Sequence, residues 1–281
     1  MLKKIKNKFK IFLKNKLAFV SFIFLVFLIL MSFGLSLFNI SHNPLEAKFR
    51  PFLPISAKHL MGTDGLGRDL FSRLMAGSRN SFTIAFCSVT ISLFCGSFLG
   101  IIAGYFRGIF DCIINFFCDI LIVIPSILII ILFLLFFHNG FSQLIIILSI
   151  FNILSFIRVV RNNTLTIYQN DFIKASKALG ASNSRIIFKH ILPGIIPNLM
   201  IVISISMSSV ILSVAGLGYL GLGLDKSIPE WGSILSDGQE YIQSYPNLVF
   251  CPAFMILMTS LSFNLIGDGL SDIFDPKKQN I

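Results

Sequence analysis

The 281-residue sequence is short of charge: Asp, Glu, Lys and Arg together make up 13% of it, about half of the ~25% usual in a soluble domain. It has one tryptophan against 31 phenylalanines, and 55% of its residues are hydrophobic. A water-soluble globule of this size would lack the polar surface to cover itself. The composition therefore excludes a soluble domain, a disordered chain and a secreted disulfide scaffold. No CxxC pair occurs: Cys87, Cys95, Cys112, Cys118 and Cys251 all lie in or beside apolar stretches and read as small core residues. His42, His59, His138 and His190 are scattered without any i,i+4 pairing, so no zinc site is legible. No glycine loop ends in Lys-Ser/Thr, which removes the nucleotide-binding loop. The formal charge of +10 does not point to nucleic acid, because seven lysines are gathered in the first 16 residues, ahead of an apolar run.

What the sequence has is long apolar runs. Residues 17–38 carry no charge and suffice to cross a ~30 Å hydrocarbon layer at ~1.5 Å per residue. A lysine-rich start before an apolar core also fits a signal peptide, but the core is too long and no small-x-small cleavage site follows. It is expected to be an uncleaved first helix. Further spans are expected at about 81–105, 115–137, 141–157, 197–217 and 248–266, giving an all-α integral membrane protein of six transmembrane helices. With the amino terminus inside, the inner segments hold 16 of the 23 lysines and arginines and the outer ones 7. Both termini are therefore expected on the cytoplasmic side. Segments 39–80 and 218–247 then face outward. The carboxylates of the second, Asp225, Glu230, Asp237 and Glu240, read first as a solvated surface and second as a substrate contact.

The inner loop 158–194 is the most informative stretch. Within 171–179, Phe172, Ala175, Ala178 and Leu179 share one helical face, with Lys174 and Lys177 elsewhere. Gly180 follows, where a helix end often needs a left-handed residue. Ser182 or Asn183 can cap a second short helix over 184–190, with Pro193 expected to stop it before the next span. The pattern describes a helix–glycine–helix elbow outside the membrane, either a docking device or a basic surface loop beside anionic lipid. Asp119 is the one formal charge between Cys112 and Ile157; it has a structural or a transport role at membrane depth. Pro125 reads as a kink, and Gly96, Gly100 and Gly104 as a close helix contact. Gly216-Leu217-Gly218-Tyr219-Leu220-Gly221 fits GxGxxG but follows a membrane helix rather than a strand, so it reads as a glycine-rich helix end. Asn162-Asn163-Thr164 fits a glycosylation acceptor, but on the cytoplasmic side.

The stretch Lys174-Ala175-Ser176-x3-Gly180-x9-His190-x2-Pro193 resembles the EAA loop of ABC-importer permeases, although Lys174 and Ser176 depart from the name-giving triplet. A second stretch, from His59-Leu60-Met61-Gly62-Thr63-Asp64 through Gly67-Arg68-Asp69, Arg73, Gly77 and Arg79 to Ser81, resembles the segment before the second span in dipeptide, oligopeptide and nickel permeases. Pro229-Glu230-Trp231-Gly232, Asp119-x5-Pro125 and the closing Asn264-x2-Gly267-Asp268-Gly269-Leu270-x-Asp272-x2-Asp275-Pro276 agree with it. Where such permeases often carry an arginine before the aspartate of the third span, this chain has Asn115-Phe116-Phe117.

The resemblance implies a type I ABC-importer permease fold, the C-type member of a permease pair. It implies a coupling loop in which Ala175, Ala178, Leu179, Gly180, Ala181, His190 and Pro193 meet a cytoplasmic ATPase. The second stretch (Gly62, Thr63, Asp64, Gly67, Arg68, Asp69, Arg73) is expected to be a turn-rich brace at the outer face. Implied partners are a second homologous permease, two ATPases and an extracytoplasmic binding protein, in a bacterial inner membrane. ATP and Mg would be used by the partners, with no cofactor or metal on this chain. Three regions result: a basic start, first helix and outer loop (1–80), a five-helix permease core (81–276) and a tail (277–281). The expected function is import of di- or oligopeptides without catalysis by this chain; nickel import by the same kind of system is the alternative. A secondary transporter would show inverted repeats and broken midplane helices, and an intramembrane enzyme would need paired catalytic residues. The cargo itself is not written in this sequence.

Overall fold

The structure, a computed structural model, describes residues 12–13, 15–37, 43–137 and 140–274. Most of the amino-terminal lysines, His42, His138, Asp275-Pro276 and the 277–281 tail lie outside the described residues. Among the described residues ten α-helices follow in order: α1 Lys16–Leu37, α2 Leu70–Phe106, α3 Gly108–Val123, α4 Ser126–Phe136, α5 Phe141–Tyr168, α6 Asp171–Ala178, α7 Asn183–Ile186, α8 Leu192–Tyr219, α9 Trp231–Gly238 and α10 Asn247–Phe274. Among the described residues there is no strand, only an isolated bridge between Thr63 and Asp69. Within the described residues five stretches are long and apolar enough to cross a membrane; α3 and α4 together make a sixth, bent by 86°.

That bend is sharper than the kink expected at Pro125. Proline has no N–H to continue the ladder and pushes the residue before it out of helical backbone. Ile124 is accordingly extended, with ψ 128°, and the expected third span is two helices rather than one. The other spans outrun their apolar cores. The second starts at Leu70 rather than 81, because Asp69 caps it: its Oδ2 accepts from the Ser72 N–H at 2.9 Å and the Ser72 hydroxyl at 2.7 Å. The boundary drawn at residue 80 thus falls inside a helix. The fourth continues past 157 to Tyr168, carrying Arg158, Arg161 and a fully buried Thr164.

Pro193 does not stop the second elbow helix. A π-turn over Ile187–Ile191 widens the chain just ahead of Pro193, which falls in the opening turn of α8. The run from Asn183 to Tyr219 is therefore continuous.

The core forms where small residues let helices approach. On α2, a Cβ at Gly100 would meet the Ile157 carbonyl and Val160 Cβ at 2.8 Å, and one at Gly104 the Arg161 carbonyl and Thr164 Cβ at 2.8 Å. Backbone thus lies against backbone along the α2–α5 seam. Higher on the same seam the Ser92 hydroxyl donates to the Ser149 carbonyl at 3.0 Å. α10 packs on α8, where Ser208 and Ser260 hydroxyls meet at 2.7 Å. α1 lies against α10 and α2, burying Ala18, Ser21, Leu25, Leu28 and Ser32, a stripe on a helix otherwise faced with exposed Phe, Leu and Ile. Its start is tied down by Asn15, which donates to Asp272 Oδ2 at 3.0 Å.

Candidate functional site

The elbow is built as its sequence requires. The main chain at Gly180 is left-handed, with φ +81°. The Ala181 N–H reaches the Ser176 carbonyl (3.0 Å) and the Gly180 N–H that of Lys177 (2.9 Å). This is a Schellman ending for α6. The Ser182 hydroxyl then caps α7 by accepting from the Arg185 N–H at 3.4 Å. Ile173 on α6 and Ile186 and Ile191 beyond the glycine are buried and seat the elbow on the helix bundle. The face expected to dock is bare: Ala175, Ala178 and Gly180 are exposed, Phe172 is 50% exposed and Leu179 88%. His190, in the π-turn, lays its ring 5.8 Å from that of Phe172 and so joins the two halves, while Ala181 packs partly into the core.

Three aromatic and basic contacts that the sequence reading missed tie the elbow to the spans. The Tyr105 hydroxyl, at the end of α2, donates to Asn183 Oδ1 at 2.7 Å. Lys177 donates to the Tyr168 hydroxyl at 2.6 Å, which holds its ammonium pKa above the ordinary value. Arg107 and Lys177 each stand 4.5 Å from the Tyr168 ring centre. Arg107 is in left-handed backbone (φ +57°) at the turn from α2 to α3. The available signal was a tyrosine and an arginine at the end of one apolar run and a tyrosine shortly before the elbow.

The outer stretch is a brace, but only part of it is turn. Gly62 and Gly67 have φ of +83° and +75°, and a Cβ on either would run into the carbonyl of Leu53 or Phe49. Thr63 hands its hydroxyl proton to the Arg50 carbonyl and accepts from the Leu53 N–H, both at 2.8 Å. Asp64 accepts from the Leu66 and Arg68 N–H groups through Oδ1, and from Arg68 Nε and Arg73 Nη1 at 2.7 Å through Oδ2. Asp69 holds His59 Nδ1 at 2.9 Å besides capping α2. Arg73 belongs to the first turns of α2 rather than to a loop, and it is 2% exposed. Its Nη2 reaches Asp237 Oδ2 at 3.1 Å, so Asp237 stays half-exposed as expected but is also an ion-pair partner. Glu230 departs further from that expectation: it is fully buried.

At membrane depth, Asp119 has a partner from the next span, Arg158 Nη2 at 2.9 Å, where the sequence offered none on its own helix. Both are largely exposed. Arg161 similarly grips Asp111 with two nitrogens. Above the Asp119 pair, in the angle left by Pro125, a cleft of about 360 Å³ is lined by Asn152, Ser155, Arg158, Ser209 and Ser213 among apolar side chains. These elements supply an elbow with a bare face, a braced loop cluster at the head of α2 and a cleft with a partly polar lining.

A family described as the binding-protein-dependent transport system inner membrane component matches residues 96–280. The chain belongs to this family. The permease is 39% identical over 279 residues to the dipeptide transport system permease protein DppC of Alkalihalophilus pseudofirmus, covering 98% of this chain and 90% of that one. It is 35% identical over 266 residues to the oligopeptide transport system permease protein OppC of Bacillus subtilis, covering 95% and 87%. Among solved structures, the inward-facing MetNI methionine ABC transporter matches with a TM-score of 0.60 at 20% identity, over 73% of the permease and 98% of that chain. That likeness is one of fold. The permease is thus a multi-pass inner-membrane transport component, not an enzyme.

Proposed function

We propose that this permease is one of two homologous membrane subunits of an ATP-driven importer of di- and oligopeptides, with both termini in the cytoplasm. The observation that carries the coupling half of this reading is the bare face of the elbow. Leu179 and Phe172 are large apolar side chains held in water by a fixed Schellman turn, and such exposure marks a docking surface. The occupant is a cytoplasmic ATPase, whose ATP-driven closure moves the elbow. Tyr105, Lys177 and Arg107 pass that motion to α2 and α5. The Asn152–Ser213 cleft is the permease's share of the path: its hydroxyls and amide hydrogen-bond a peptide backbone, beside an Arg158 already paired with Asp119. The cargo class is supported by relatives named for dipeptide and oligopeptide transport across nearly the whole chain. This chain supplies no nucleotide loop, so ATP and Mg belong to the partners.

Reconstitution tests this reading. The permease co-expressed with its neighbouring permease, ATPase and binding-protein genes should yield a complex that takes up a labelled dipeptide when ATP is supplied. ATP-independent uptake by the purified chain alone would overturn it.

A further inference from the structure

The outer loop between α8 and α9 encloses a carboxyl that the transport reading does not use. Glu230 is fully buried. Its Oε1 has no hydrogen-bond partner, and Oε2 only a long contact, 3.5 Å, from the Leu224 N–H. Two glycines make the room: a Cβ on Gly218 or on Gly223 would collide with a carboxyl oxygen. Gly218 is in the last turn of α8, which ends in a Schellman turn at Gly221 (φ +76°), with the Leu222 N–H on the Leu217 carbonyl at 2.8 Å. The glutamate thus lies between the carbonyl end of a 28-residue helix, which opposes an anion, and the amino end of the short α9, which favours one.

Glu230 is also a joint. Its carbonyl opens α9 by accepting from the Ile234 N–H at 2.9 Å. The carbonyl of Pro229 beside it accepts from Asn80 on α2 at 2.7 Å, and Trp231 Nε1 donates to the Leu74 carbonyl at 3.1 Å. Charged or titratable groups on the surrounding elements are Arg73 and Arg79 on α2, Tyr219 on α8, Asp225 and Lys226 on the loop, and Asp237 on α9. Arg73 is committed to Asp64 and Asp237, Asp225 to Ser227, and Tyr219 to Gln239. Burial is the largest influence on Glu230 and raises its pKa from 4.5 to about 7; the Leu224 and Gly232 N–H groups offset only part of that.

We infer that Glu230 is a protonatable latch: its neutral carboxyl holds α9 against the end of α8, and loss of the proton loosens the outer face of the permease. It is a positioning residue and touches no cargo. The sign follows from the raised pKa. The folded loop keeps a proton that the free side chain gives up, so docking is unpenalised below pH 4.5, weakens as pH rises, and carries its full penalty above about 7. From pH 6 to pH 8 the ratio of neutral to ionised latch falls from about 10:1 to about 1:10.

The chain carries one tryptophan, Trp231, next to the latch. The full chain in lipid nanodiscs should show a reversible red shift of its emission as pH rises, with a midpoint near 7. Glu230→Gln, which imitates the neutral form, should keep the blue-shifted emission throughout. In the assembled importer, dipeptide uptake by the wild type should fall severalfold from pH 6 to pH 8, while Glu230→Gln stays level. A flat wild-type emission between pH 5.5 and 8.5 overturns the latch, even if the variant fails to insert, and so does a variant that titrates with the wild-type midpoint. A titrating emission with level wild-type uptake overturns the transport role. That role rests on the import reading. An assembly that takes up no dipeptide at any pH counts against that reading alone, because the emission needs no cargo.

Discussion

A Cβ on Gly180 would meet nothing within 4 Å, so the backbone alone sets what replaces it. Left-handed geometry costs a side chain roughly 1–2 kcal/mol, with β-branched residues worst. Gly180→Val should therefore insert at normal levels yet lose uptake and cargo-stimulated ATP hydrolysis together, since the angle between α6 and α7 presents Leu179. Gly140 is extended, and a Cβ there meets the flexible end of Gln143, so Gly140→Val should change little. Immunoblots of membranes beside uptake rates separate the two, and wild-type uptake by Gly180→Val removes the elbow from the mechanism. Ion pairs divide by burial. Asp64→Ala leaves Arg68 and Arg73 to share the half-exposed Asp237, and breaking a buried pair costs about 3–5 kcal/mol. Asp119→Ala removes an exposed pair worth about 1 kcal/mol or less. Thermal denaturation in detergent should rank them in that order. Glycine roles were legible because a left-handed turn leaves one residue type little competition. The burial of Glu230 and the pairing of Asp237 with Arg73 were not, since a carboxylate in a loop between spans reads alike whether water, an arginine or nothing satisfies it.

At the scale of elements, apolar runs locate helix centres and say little about helix ends. The membrane demands a hydrophobic middle, but outside it a helix continues until something stops it. α5 runs on through Arg158 and Arg161 because no breaker intervenes before Gln169 and Asn170. Proline was the misleading residue. At 193 it lies in the first turn of α8 and stops nothing; at 125 it separates two helices. The α2–α5 seam, by contrast, was legible from its glycine spacing. Gly100→Val should collide with the Ile157 carbonyl and Val160 and lower the melting temperature and abundance, an overpacking cost of about 1–3 kcal/mol. Gly34→Ala, with open space around the new methyl, is the control and should behave as wild type.

For the whole molecule, orientation is argued from 16 basic residues on one side against 7 on the other. Ser56 and Ser227 are exposed on the proposed outer face and Ser184 on the inner one. In a background without native cysteines, Ser56→Cys and Ser227→Cys should react with an impermeant thiol reagent in whole cells, and Ser184→Cys should not; the reverse pattern overturns the topology. The brace that ties this outer face together also bears on how the chain is made. Arg73 and Asp237 are 164 positions apart in sequence. At about 5–20 residues per second of synthesis, roughly 8–30 s pass between the emergence of one and the other. Throughout that interval the arginine at the head of α2 has Asp64 and no carboxylate from α9. The outer face is therefore completed late, and a chain arrested before residue 237 has an arginine at the head of α2 that holds Asp64 but lacks its second counter-ion.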